Sequence, residues 1–237
     1  MRFLSVLTVL LLCAAPAQAQ DDDLAPPPPD TTAARYGQSV ALLLVLTEDG
    51  LGLGAAARTV VTDDVSFTFE MRVGAARDAR EQQFFVGIFG DTETPFKRNY
   101  VALVPLQMGL ERRLFRATVE DNFRPFATLA AGPTLAIQWP YFDDRNDNGV
   151  RDPGEEALGT TGGLGRAESR LGLGATLGVG AYFRRSRRSV SGLRLGFAVH
   201  YFPSAVELLE PLLDLERPSR KTFVSPTVSF HVVRLLR

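Results

Sequence analysis

Cysteine is nearly absent: Cys13 is the only one in 237 residues, so no disulfide framework holds the fold. Long apolar runs are missing too. Beyond Leu12 nothing approaches the ~18 consecutive apolar residues of a membrane-crossing helix, which excludes a helical membrane protein. Charge of one sign is not in excess, with 26 Lys+Arg against 27 Asp+Glu, and a nucleic-acid partner would show as a basic bias. Histidine occurs only at His200 and His231, in no spacing that suits a zinc site or a catalytic triad. No Gly-x-Ser-x-Gly elbow or phosphate-cradling loop appears. Gly52-Leu53-Gly54-Ala55-Ala56-Ala57 mimics a dinucleotide fingerprint. That motif needs a helix after it, and Thr59 to Met71 reads as turn and strand. These absences point to a protein that is not an enzyme.

What is present is alternation. From Arg170 to Phe183, Leu171, Leu173, Ala175, Leu177, Val179, Ala181 and Phe183 share one face. Gly172, Gly174, Thr176, Gly178, Gly180 and Tyr182 share the other. A period of two is an extended strand. The pattern predicts eight strands, over 38–47, 51–61, 65–75, 100–115, 124–139, 169–183, 191–202 and 222–233. Asp49-Gly50 supplies a hairpin turn between the first two. Glu70, Arg72, Glu111, Arg113, Arg194 and His200 all fall opposite the apolar faces. Charges collected on one face and Leu, Val and Phe on the other describe a barrel with lipid outside. An Arg or Lys facing mid-bilayer costs ~2–4 kcal/mol, so these charges turn inward. Eight strands enclose a space just wide enough for side chains to fill, and the charges are expected to plug it.

The chain divides into three parts. Residues 1–19 read as a secretory signal: Arg2, the apolar Phe3 to Leu12, and a small-x-small site at Ala17-Gln18-Ala19. Leu12 before Cys13 argues against a lipidation site. Residues 20–35 form an acidic linker with Pro26 to Pro29 in a row, which favours solvated polyproline II. Residues 36–237 form an all-β, antiparallel, up-and-down transmembrane barrel. Its long connections, near 76–99, 140–168 and 203–221, fall on one side, and the shorter ones at Thr62, Glu120 and Arg184 on the other. Short periplasmic turns opposite longer external loops are the transmembrane arrangement. Ser204 to Leu215 has a helical spacing broken by Pro211, which predicts a short loop helix. Trp139, Tyr141, Tyr201 and Phe202 cluster at strand ends as a candidate aromatic girdle.

Signal, acidic spacer and amphipathic strands such as Arg124 to Ile137 together resemble the small outer-membrane β-barrel, porin-like proteins of Gram-negative bacteria. The resemblance implies an outer-membrane location, surrounding lipid as partner, and a structural or surface-interaction role toward surface ligands or envelope components. Two alternatives stay open: a soluble periplasmic or secreted barrel that holds an apolar ligand, and a small diffusion porin. The soluble form would invert the faces and send Leu171, Leu173 and Leu177 inward.

The most specific local motif lies in the 140–168 loop. Asp144, Asn146, Asn148, Val150 through its carbonyl, Asp152 and Glu155 occupy positions one, three, five, seven, nine and twelve of a calcium loop. Gly149 stands at the turn position six. A hard cation takes six to eight oxygens, and this set offers them without sulfur or imidazole. The spacing resembles EF-hand and dockerin-type calcium loops, with strands rather than helices as flanks, and it makes calcium the candidate cofactor.

Overall fold

The computed structural model describes residues 38–78, 80–82, 84–86, 91–116, 118–119, 122–184, 189–211 and 219–236. The signal and linker expected over 1–35, and the centres of the turns near Glu120 and Arg184, lie outside the described residues. Ten strands follow in chain order: β1 (Gln38–Thr47), β2 (Gly50–Val60), β3 (Val65–Ala76), β4 (Phe84–Val86), β5 (Asp91–Glu93), β6 (Asn99–Arg113), β7 (Phe123–Pro140), β8 (Glu168–Arg184), β9 (Ser189–Glu207) and β10 (Ser219–Leu236). Eight of them close a barrel in the order β1-β10-β9-β8-β7-β6-β3-β2, and β4 pairs with β5 alone. Every pairing is antiparallel; β3 pairs with β6 past the β4–β5 pair, and β1 closes on β10 from Gln38↔Leu236 to Thr47↔Thr227. The fold is a closed, eight-stranded, up-and-down antiparallel barrel.

The alternation decides which side faces in. Leu42, Leu171, Leu173, Leu177, Phe197 and Val232 point outward and are all exposed, Leu42 to 70%. On the same strands Ser39, Thr176, Arg194 and His231 are buried. The barrel therefore carries its large aliphatic residues outside and its polar residues inside, the opposite of an interior built for an apolar ligand. The glycine face of β8 makes room. A Cβ on Gly174 would lie 2.4 Å from the Thr134 hydroxyl and 2.5 Å from His200 Nδ1. One on Gly180 would lie 2.6 Å from Phe126 Cζ. The face that looks bare in sequence is occupied by its neighbours' side chains.

Strand length differs around the barrel. β1 to β3 have 10, 11 and 12 residues, whereas β7 to β10 have 18, 17, 19 and 18. About 9–11 tilted residues suffice to cross a bilayer, and β7 to β10 are longer than that. Together with the described residues of the connections after β3, β7 and β9 they build a crown at one end.

Three expectations change. Phe202 is fully buried inside the upper barrel, packed with Val206, Leu208, Phe223, Val101 and Leu103, and is not part of an outer girdle. It follows the outward Tyr201, and adjacent strand residues must oppose each other. The loop expected from Pro203 begins later, because β9 continues to Glu207. Residues 204–207 are strand and 208–211 carry no helix; the backbone of Arg98 and Asn99 donates to the Leu208 carbonyl at 2.8 and 3.2 Å, holding this stretch extended. The rest of the expected helix, to Leu215, lies outside the described residues. The 76–99 connection holds the β4–β5 hairpin.

Candidate functional site: the packed interior and its crown

The middle of the interior is a layered polar network. Glu70 on β3 accepts two hydrogen bonds from Arg194 on β9, each at 2.8 Å. Arg72 Nε pairs with the same carboxylate at 3.0 Å. Arg72 also donates at 2.7 Å to the Gln107 side-chain oxygen and to the Thr176 hydroxyl. One layer below, Glu111 accepts from Arg58 at 2.7 Å and from the Tyr182 hydroxyl at 2.8 Å. The Arg58 guanidinium lies 4.7 Å over the Tyr182 ring, which stacks on Phe126 at 4.5 Å. Thr134 and His200 share a 3.0 Å hydrogen bond, and His231 sets its edge against Tyr182. Glu70, Arg72, Arg194 and His200 are each at most 6% exposed. Bidentate, doubly hydrogen-bonded ion pairs are the arrangement that offsets the desolvation of buried charge.

Every inward charge expected from alternation is found on the inner face. Missed were Arg58, which shares the inner side of β2 with small residues, and the inward apolar residues Leu43, Val45, Leu103 and Phe223. A strand apolar on both faces, as β1 is, carries no periodic signal for its inner side. Leu103 and Phe223 belong to the cluster around Phe202, which lies above the charges. The cavities among the buried charges are small, about 60 Å3 beside Arg72 and His200, about 50 Å3 between Arg58 and Phe126, and about 20 Å3 beside Glu70. Each holds only a few waters.

The crown is tied together by backbone. Arg98 N donates to the Leu208 carbonyl at 2.8 Å, Tyr141 N to the Arg98 carbonyl at 2.9 Å, and Glu210 N to the Phe96 carbonyl at 2.8 Å. Residues 94–98 thus lie between the connections that follow β7 and β9. Arg98 pairs with Glu207 at 2.5 Å. At the base of the first long connection, Asp78 accepts from Arg80 Nε and NH2 at 2.8 and 3.0 Å and from the Arg80 backbone at 3.0 Å. Those bonds hold its carboxyl below the usual carboxylate range.

The six expected calcium ligands lie in one loop, and five of their side chains are joined within it. Gly149 N donates to Asp144 Oδ2 at 2.7 Å and Val150 N to Asn148 Oδ1 at 2.7 Å. Arg145 N donates to Glu155 Oε1 at 2.9 Å. Asn146 and Asn148 both donate to Asp152 Oδ2, at 2.8 and 3.0 Å. Gly149 has φ +74, a left-handed value that suits glycine. Among the described residues, no three His, Cys, Asp or Glu side chains converge as metal ligands.

No protein-family model matches the chain, and no curated protein matches it. Solved structures do resemble it. The barrel is similar to Neisserial surface protein A at 10% identity and TM-score 0.40, covering 84% of this chain and 94% of that one. The outer membrane protein OprG of Pseudomonas aeruginosa gives 11% and 0.40, covering 85% and 97%. The N-terminal barrel domain of OprF from the same organism gives 9% and 0.39, covering 84% and 96%. The likeness is one of architecture alone.

Proposed function

We propose that this chain is a bacterial outer-membrane barrel with a filled, non-conducting interior and a structural or surface-interaction role. It acts through its external crown and not as an enzyme. The observation that carries this reading is the orientation of the walls. Leu42, Leu53, Leu129, Leu171, Leu173, Leu177, Phe197 and Val232 stand outward, each at least 60% exposed, around an interior that buries Glu70, Arg72 and Arg194. A monomer in water rarely exposes a contiguous apolar patch beyond a few hundred Å2, whereas hydrocarbon covers such a belt without cost. The porin reading is less favoured because the interior is packed with paired charges beneath an apolar layer. The export-signal pattern over 1–19 agrees with an envelope location. Fractionation of expressing cells tests it. A heat-modifiable band in detergent-solubilised outer membrane is expected, and recovery in the soluble periplasmic fraction would sink the reading.

The same proposal includes a calcium-stabilised external loop. Its support is the bond pattern: position six donates to position one, position seven to position five, and position two to position twelve. Calcium would draw Asp144, Asn146, Asn148, Asp152, Glu155 and the Val150 carbonyl toward one point, replacing the amide contacts to Asp152. Three carboxylates and a strand-flanked loop suit an extracellular affinity of ~10⁻⁴–10⁻³ M. Isothermal titration of the refolded barrel with calcium should show heat that is lost in Asp144→Ala and Glu155→Ala; equal heats in all three chains end the metal reading.

A further inference from the structure

A groove of about 550 Å3 opens on the outer wall just below the crown. Its lower part is lined by Leu51, Leu53, Val73 and Ala102, its upper part by Arg77, Lys97 and Trp139. The floor is low because the directly paired residues Ala75 and Ala102 are small, while Leu51 and Leu53 stand out beside them, 57% and 63% exposed. The far wall is rigid. Tyr100 stacks on Trp139 at 5.8 Å and meets Tyr141 edge-on at 5.3 Å. Trp139 Nε1 donates to the Thr160 carbonyl at 2.7 Å, and Thr94 N donates to the Tyr141 hydroxyl at 3.2 Å. Lys97 sits 4.9 Å from the Tyr100 ring, with its ammonium on Glu81 at 2.7 Å. Of the two cations lining the groove, Lys97 is buried and paired with Glu81, and Arg77 is the exposed one.

A dry aliphatic trough that ends under a cationic, aromatic edge matches one kind of molecule: an acyl chain joined to an anionic phosphate head. We infer that the groove is a binding site for a phosphorylated, acylated lipid of the leaflet facing the crown. The chain lies along Leu51, Leu53, Val73 and Ala102, and the phosphate meets the exposed Arg77. Charge complementarity selects this occupant over a neutral lipid, and the small-residue floor selects a single chain over a flat protein surface. The inference rests on the membrane placement proposed above.

Trp139 is the chain's sole tryptophan, so its emission reports what fills the groove. The barrel is refolded into phosphatidylcholine vesicles containing brominated-chain phosphatidic acid or, in parallel, brominated-chain phosphatidylcholine. Phosphatidic acid should quench Trp139 at a mole fraction lower by about 1.4- to fivefold, the range one exposed charge contact supplies. Arg77→Gln should bring the two lipids together, and Ala75→Leu should weaken quenching by both while heat-modifiability stays intact. Added inorganic phosphate should leave the preference unchanged; if it abolishes the preference, the site takes a free anion and the lipid assignment fails. Equal quenching by both lipids in the native chain overturns the site yet leaves the barrel in the bilayer. Loss of quenching as the protein-to-lipid ratio rises assigns the groove to a second copy. Absence of quenching by either lipid, with protein that does not float with vesicles, overturns the membrane placement itself.

Discussion

Glu70 sits between two guanidiniums and pairs with both. Arg194 grips it with two 2.8 Å hydrogen bonds and Arg72 lies 3.0 Å away. Glu70→Ala leaves two buried cations facing each other, and removing one partner of a buried ion pair costs about 3–5 kcal/mol. Urea unfolding of the refolded barrel should show an unfolding free energy lowered by that amount; a change within ~0.5 kcal/mol would mean the pairs are solvated and the interior is wet. Steric room makes a second case. Gly174→Leu would drive side-chain atoms into Thr134 and His200, whose atoms already lie within 2.5 Å of an added Cβ. Overpacking of this kind costs typically 1–3 kcal/mol, whereas Leu173→Ala on the outer face should cost less. The same unfolding measurement on both variants checks the order, and reversal of the order would contradict the direction of the faces.

The eight barrel strands were legible from period two with ends shifted by a few residues at most, except where β9 runs on to Glu207 and β10 begins at Ser219. Those extensions had no signal because Pro203, Ser204 and Pro211 read as loop; the pairing of Arg220 with Val206 and of Ser219 with Glu207 makes the stretch strand. The connections depend on individual residues. Asp78 anchors the one that follows β3 through Arg80, and Arg220 Nε of β10 lies 3.8 Å away. The Arg80 bonds lower the Asp78 carboxyl from its ordinary value of 3.8. A lowered folded value means the stabilisation is present in full above the unfolded value and disappears as pH falls through the folded one. Protection from hydrogen exchange, relative to the intrinsic rate at each pH, at residues 77, 78 and 80–82 should therefore persist down to about pH 4 and fall below it. Asp78→Asn should lack that protection throughout, and an acid-insensitive native loop would remove Asp78 from this role.

Across the molecule, the packing of the interior decides whether the barrel can conduct. Planar bilayers carrying the refolded barrel should show no steady conductance steps, because paired charges lie beneath the layer of Phe202, Phe223, Val206 and Leu103. Regular steps would restore the porin alternative. The crown rises on the side of β7 to β10, and its connections are joined through Arg98, Leu208 and Tyr141. Those contacts join residues more than forty positions apart, so no local pattern announces them.

Alternation alone, being a local steric property of extended backbone, determined that this chain makes about eight strands and which residues share a face; that eight of them close the barrel came from the tertiary structure. The motif at Asp144 to Glu155 was likewise readable, since its spacing is contained in twelve residues. Which inward charge meets which was a matter for the closed barrel: Glu70 and Arg194 are separated by 124 positions and meet only because β3 and β9 stand across a narrow interior. The outer groove depended on folding in the same way, because its alanines and its aromatic wall come from β3, β6 and β7 and acquire a shape only when those strands lie side by side.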